Sequence, residues 1–286
     1  MTQFRRIVLA LDGSPTSLAA LDATAELAAL LSAEVVGLFV EDANLVRMAS
    51  LPFAREVGSH SGAFRAVNPA DLERQFRSQA ERVQSALWHA AERLRLTASF
   101  VVARGAVKQE LLAALRDADL LSLGKGGGSL AAHLGLGSTA RAVAAEAGGM
   151  VLLLSHVSRV CGPVTVVYDG SPAGEKALAA AGELVRALSS ALTVFCLAET
   201  RQGAGELVQK ACAALGDMGV DLHSLGGGDI PNIERRARST GANLVVVPAG
   251  SPTLPVASVE KVVRDFFGPV MIVGSGEDRS NSDVAQ

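Results

Sequence analysis

From residue 124 the chain reads Gly-Lys-Gly-Gly-Gly-Ser, passes through Leu130–Leu136, and reaches Gly137-Ser138-Thr139. Glycines let backbone amides approach a phosphate closely, and the free N–H groups at a helix start favour an anion. Ser138 and Thr139 add hydroxyl donors at the same point. A chain that leaves a sheet at one glycine cluster and returns at another can enclose a nucleotide. The second chemical feature is Asp12, in the turn Asp12-Gly13-Ser14-Pro15 just after the apolar run Ile7–Leu11. A carboxylate there can accept a hydrogen bond from an exocyclic amine such as adenine's. Taken singly, each feature reads more simply as a turn or a helix cap. On adjacent strand ends they favour a nucleotide site.

The elements that would position these residues alternate between strand and helix. Ile7–Leu11 is strand-length, and Ser14 with Pro15 makes a strong helix start, leading to a helix ending near Leu31. A strand Val35–Val40 follows, and then a loop-like stretch Ala43–Val67 rich in Gly, Ser and Pro. Asn68-Pro69 opens a long helix whose apolar residues Leu72, Phe76, Val83, Leu87, Ala90 and Leu94 recur at helical spacing. Strand Ser99–Ala103, helix Lys108–Arg116, strand Leu120–Leu123, a helix from about Thr139 and strand Met150–Leu154 complete this part. Runs apolar on both faces, alternating with helices, indicate a parallel sheet covered on both sides. Such sheets bind ligands at the carboxyl ends of their strands.

The order then repeats. Asp-Gly-Ser-Pro returns at Asp169–Pro172, and without a gap Leu21 falls on Leu178, Glu26 on Glu183 and Ser32 on Ser189. Strands are expected near Val164–Tyr168, Ala191–Leu197, Asp221–Leu225, Leu244–Val247 and Val270–Val273. The offset between matching residues shrinks from 157 (12 to 169) to 124 (119 to 243) and then 119 (150 to 269). The second copy therefore lacks material after its second strand and between its last two. A repeat this long is a whole domain rather than a solenoid unit. The expected organisation is a domain over 1–157 that carries the site, a degenerate copy over 158–276, and a polar tail over 277–286 expected to be disordered.

Bulk properties agree with two globular units in 286 residues. Apolar residues make up 49% but aromatics only 4%, so the core is built from Ala, Val and Leu. Mean hydropathy is +0.31, yet Asp22, Glu26, Glu34 and Glu146 interrupt the apolar stretches well short of the roughly 18 residues a membrane span needs. Met1–Arg6 reaches a strand at once and leaves no room for a signal peptide. Cys161, Cys196 and Cys212 form no CxxC and suit a reducing cytoplasm as small buried residues. A net charge of −3 gives no reason to expect nucleic acid, and no membrane partner is expected.

With those residues in view, the chain resembles a tandem universal stress protein over residues 3–274. The ATP-binding members of that family carry a glycine, two residues, a glycine, nine residues, then glycine followed by Ser or Thr. Gly124, Gly127, Gly137 and Ser138 match that spacing at every position. The family's adenine-contacting aspartate corresponds to Asp12, and positions framing the base correspond to Ala10, Leu11 and Val40. Leu123, Gly126, Thr139 and Ala140 extend the matched phosphate-binding segments. The resemblance implies two doubly wound, mostly parallel five-stranded domains of Rossmann-like, adenine-nucleotide α-hydrolase-like fold. They would dock as a pseudo-dimer through Met150–Leu154 and Val270–Val273. It also implies ATP or a related adenine nucleotide in the first half, with Mg²⁺ on its phosphates.

The second half departs from the pattern. Pro248, Ser251, Val256 and Ala257 stand where the first half has Gly124, Gly127, Gly137 and Ser138. Proline removes an amide and valine adds a side chain where close approach is needed. Asp169 is then expected only to cap the turn at Ser171-Pro172. Lys125 and His133 are each open to two readings, phosphate contact or a solvated loop side chain. No Walker loop, metal-spaced histidine pair or evident catalytic base is present in the sequence. Ala43–Val67 and the arginines Arg47, Arg55, Arg65, Arg74, Arg77 and Arg82 read as a solvated face, with a lid or partner surface as the alternative. Trp88 is expected in the core or an interface. The leading expectation is a cytoplasmic stress-response binding module with an unknown protein partner, able to form a homodimer. The alternatives are a slow ATPase or nucleotidyl-transfer enzyme, and a nucleotide-free scaffold.

Overall fold

The structure is a computed structural model in which residues 4–51, 55–57, 64–66, 68–126, 143, 146, 148–155, 159–226, 230 and 232–276 are described. Its strands are β1 (Arg6–Ala10), β2 (Glu34–Asp42), β3 (Arg55–Val57), β4 (Phe64–Ala66), β5 (Ala98–Gly105), β6 (Leu120–Gly124), β7 (Met150–Leu154), β8 (Val164–Tyr168), β9 (Leu192–Leu197), β10 (Val220–Leu225), β11 (Leu244–Pro248) and β12 (Val270–Val273). The helices among the described residues are α1 (Pro15–Leu31), α2 (Ala43–Ala49), α3 (Pro69–Leu94), α4 (Val107–Arg116), α5 (Pro172–Leu188), α6 (Arg201–Leu215), α7 (Ile233–Ser239) and α8 (Val256–Asp265). Val143 and Glu146 are also helical. The tail 277–286 and the helix start at Thr139 lie outside the described residues.

Ten strands form one sheet in the order β10-β9-β8-β11-β12-β7-β6-β1-β2-β5. Every neighbouring pair is parallel except β12 and β7, which run antiparallel with Met271 opposite Leu152 and Ile272 opposite Val151. The order β5-β2-β1-β6-β7 is thus met again as β10-β9-β8-β11-β12. This is an α/β fold with a mostly parallel sheet. The inner strands are mostly apolar on both faces, and both faces are covered, whereas the outer strands β5 and β10 are largely exposed or half-exposed. One face buries Ile7, Leu9, Leu152, Leu154, Val164 and Val166 under α1, α3 and α5. The other buries Val8, Val151, Leu153, Val167, Val245 and Val270 under α4, α7 and α8. Both cores run past the β7–β12 join without a break, so burial on either face stabilises that join.

Local sequence explains the helix starts. Ser14 sits in extended conformation before Pro15, and its side chain accepts from Ser17 N, satisfying one orphan donor of α1. Ser171 does the same for α5 through Gly174 N at 3.0 Å. Both helices are 17 residues long and end on a left-handed serine, Ser32 and Ser189. Two contacts tie distant segments over this face: Arg159 grips the Glu26 carboxylate at 2.9 and 3.1 Å, and Phe4 N donates to Glu183 Oε1 at 3.1 Å.

Several sequence expectations change. Ala43–Val67 is not all loop: Asp42 caps α2 by accepting from Asn44 N at 2.9 Å, and β3 pairs antiparallel with β4. Val40 does not end β2, because β5 continues the ladder as far as Asp42 opposite Gly105. Trp88 is 42% exposed on α3 rather than core. Of the cysteines only Cys196 is buried; Cys161 and Cys212 are exposed. Among the described residues, no helix is long and apolar enough to cross a membrane.

Candidate functional site

β1 and β6 are parallel neighbours, with Ile7 opposite Leu120 and Leu9 opposite Ser122, so the chain leaves both at the same edge of the sheet. Leu11 is buried, and its N–H donates to Leu38 O at 2.9 Å, tying the end of β1 to β2. Ala10 and Val40 are half-buried beside it. Asp12 follows, exposed. Its Oδ1 accepts from Ser14 N at 2.9 Å, closing a turn in which Gly13 takes φ +76°, a conformation few other residues adopt. That is the one hydrogen bond Asp12 makes to described residues, and Oδ2 keeps its capacity to accept.

At the neighbouring strand end, Leu123 is buried and Gly124 half-buried. A β-carbon at Gly124 would lie 3.1 Å from Thr16 Cγ2 and 3.4 Å from the Thr16 carbonyl carbon. Glycine lets the end of β6 approach the first turn of α1, where backbone N–H groups lack intrahelical partners. Gly126 is half-buried two residues on. Gly127, Gly137, Ser138, Thr139 and Ala140, and His133 with them, lie outside the described residues. The structure thus brings Ala10, Leu11, Asp12, Leu123, Gly124 and Gly126 to one edge. A helix also covers the turn: a β-carbon on Gly13 would have Arg82 Nη2, Gln79 Cγ and Val83 Cγ1, all on α3, at 3.8 Å each. Arg82 is exposed and has no ion pair among the described residues.

Lys125 is not aimed at a phosphate. Its ammonium donates to Phe266 O at 2.8 Å and Gly268 O at 2.7 Å, and its backbone N–H donates to Leu154 O at 2.7 Å. Burial pushes the ammonium pKa down to about 8.

The matching turn near Asp169 is built alike and used differently. Gly170 takes φ +73°. Asp169 Oδ1 accepts from Ser171 N at 3.1 Å and from Ser171 Oγ at 2.6 Å. Its Oδ2 accepts from Thr253 Oγ1 at 2.9 Å and from the Ser251 hydroxyl. Ser251 Oγ in turn accepts from Thr253 N and Leu254 N, each at 3.1 Å. Burial would raise the Asp169 carboxyl, but the hydrogen bonds from Ser171, Ser251 and Thr253 outweigh it and hold it below the usual carboxylate value. Asp169 therefore does more than cap: it binds the loop after β11 that aligns with the glycine-rich run. Gly174 makes room for this, since a β-carbon there would overlap Asp169 Oδ1. Over Gly170 the cover is apolar, with Leu207 Cδ2 only 2.8 Å from where a β-carbon would stand.

The model of the universal stress protein family matches residues 3–155. The chain belongs to the universal stress protein family. Its fold is similar to a universal stress protein from Archaeoglobus fulgidus DSM 4304, at TM-score 0.75 and 19% identity over 96% of this chain and 100% of that one. It is also similar to a functionally unknown protein from Pseudomonas aeruginosa PAO1, at TM-score 0.59 and 16% identity over 96% and 93%. The cytoplasmic domain of a prokaryotic cation chloride cotransporter aligns at TM-score 0.53 and 14% identity over 97% and 98%. At such identities these likenesses speak for the fold. No curated protein matches the chain.

Set against the universal stress protein pattern, sequence reasoning missed Gln79, Thr16 and Thr253, and read Arg82 only as one of a cluster of arginines on a solvated face, with a lid as the alternative. Only Ser251-Pro252-Thr253, two hydroxyls beside a lost glycine, offered a signal. Nothing in the sequence set Arg82 apart from the other arginines of its cluster, because its place over Gly13 depends on how α3 crosses the sheet.

Proposed function

We propose that this universal stress protein binds one adenine nucleotide, ATP in the first instance, at the carboxyl ends of β1, β2 and β6. The observation that carries this reading is the pair of strand ends at Asp12 and Gly124. An exposed carboxylate with one oxygen unused among the described residues stands beside a glycine-permitted approach to the start of α1. Asp12 would accept from the adenine amine, with Ala10, Leu11 and Val40 framing the base. The phosphates would lie on the amides of Gly124, Gly126, Gly127 and Gly137, with Ser138, Thr139 and Ala140 completing the turn. The donor set fits such a ligand, because glycine at 124 leaves open the approach that a β-carbon would crowd. Among the described residues no group of three or more acidic, His or Cys side chains is placed to hold a metal. A divalent cation would therefore arrive on the phosphates.

The chain would act as a cytoplasmic binding or regulatory module, its nucleotide state read by a protein partner. We further propose that 1–157 and 158–276 are two domains docked as an intramolecular pseudo-dimer. The repeated strand order and the antiparallel β7–β12 pairing support this. Titration calorimetry with ATP tests the stoichiometry: one site per chain is expected, and two equivalent sites would overturn it. Gly137→Val is expected to lower ATP affinity at least about tenfold, or ~1.4 kcal/mol, in a folded protein. Turnover with and without Mg²⁺ separates this reading from a slow ATPase.

A further inference from the structure

Three consecutive carbonyls in the turn between α8 and β12 are held from the far side of the β7–β12 join. Lys125 Nζ takes Phe266 O and Gly268 O, and Ser155 Oγ donates to Phe267 O at 3.1 Å. The turn is braced from its own side as well. Arg238 donates to Asp265 O and stands 5.2 Å over the Phe267 ring. A β-carbon at Gly268 would overlap Asn243 O, so this backbone is packed against its neighbour too. Lys125 lies between Gly124 and Gly126, at the root of the glycine-rich run, and its own N–H is fixed to β7. A half-buried ammonium with two carbonyl acceptors cannot swing away without leaving all three groups short of partners.

We propose that Lys125 is a positioning residue for the nucleotide site, coupling Gly124–Gly126 to the 265–268 turn. The C-terminal half, which has lost the glycines, is through this turn a working part of the N-terminal site. The inference rests on the adenine-nucleotide reading of that run. Coupling is reciprocal, so a ligand that orders the run must also tighten the turn.

The test uses the full chain and ATP. Lys125→Met keeps the stem's apolar packing and removes its donors; it is expected to weaken ATP binding about fivefold to tenfold. Lys125→Arg, which keeps donors, should recover most of the loss. In the wild type, ATP should slow amide hydrogen exchange in 265–270, and in Lys125→Met it should not. Arg238→Ala loosens the turn from the opposite side without touching the N-terminal half, and keeps the test open if Lys125→Met fails to fold. It should weaken ATP about twofold to fivefold. A folded Lys125→Met that binds ATP as wild type does, or an unmoved Arg238→Ala, would overturn the coupling alone. Wild-type protein that binds no ATP would overturn the coupling and the nucleotide reading together.

Discussion

Asp12 and Asp169 follow equivalent strands, precede left-handed glycines and lie just ahead of helices of equal length, yet one is exposed and the other is taken up on both oxygens. The difference lies in residues far from either turn. Around Asp169, Ser251 and Thr253 supply hydroxyls, Gly174 leaves space and Leu207 closes the top. Around Asp12, Ser17 stands at the position of Gly174, Gly124 stands at the position of Pro248, and Arg82 and Gln79 join Val83 in the cover over Gly13. The same turn leaves its carboxylate exposed in the first copy and becomes a structural tie in the second, where the loop after β11 is bonded to it. In the second copy the carboxylate holds the loop after β11, the segment that aligns with the glycine-rich run.

The most drastic way to break this comparison is to separate the halves. Fragment 1–157 exposes the edge of β7 that β12 covers, and an uncovered edge is a pairing hazard. It is expected to dimerise or aggregate in size-exclusion chromatography with light scattering. A stable monomer with full ATP affinity would show that the second half is not needed as cover.

Next in size is the paired substitution. Asp12→Ala should weaken ATP binding about tenfold and erode preference over GTP, with little change in stability. Asp169→Ala should leave ATP affinity alone but lower unfolding free energy by about 1–3 kcal/mol, because the Ser251 and Thr253 hydroxyls lose their acceptor. Calorimetry and denaturant unfolding on both variants would check this, and equal damage to binding would demand a composite site.

A subtler separation uses acid. The Asp169 carboxyl is depressed in the folded state, so its contribution is present above its unfolded pKa and is lost as pH falls through the folded one. Asp169→Asn should therefore flatten the acid limb of the stability curve below about pH 4, where the unfolded carboxyl titrates. Thermal melts across pH on wild type and Asp169→Asn would reveal the flattening.

The smallest effect is expected at the cover. Arg82→Gln should lower ATP affinity about twofold to threefold and reduce the salt dependence of binding, since the guanidinium acts across partly screened solvent. Calorimetry at two ionic strengths is sufficient. Leu207→Ala, its counterpart over Gly170, should change stability and not binding.

What could be read from the residues alone was short in range. Asp-Gly-Ser-Pro specified turn, cap and helix start twice, because a left-handed glycine, a hydroxyl cap and a proline act within four residues. Doubly apolar runs specified a covered parallel sheet, and the glycine spacing pointed to an anion. The seven-residue helix after Asp42 went unread because so short a helix carries no periodic stripe, and its stability comes from packing on α3 rather than from its own pattern. The tertiary structure decided everything that depends on which strand ends meet. It sent Lys125 to carbonyls 141 and 143 residues away and gave Asp169 partners 82 and 84 residues away. It also laid Arg82 over Gly13 and made one sheet of ten strands through β7 and β12. Such contacts follow from sheet register and helix crossing, which sum over many weak packing interactions, so no single stretch of residues encodes them.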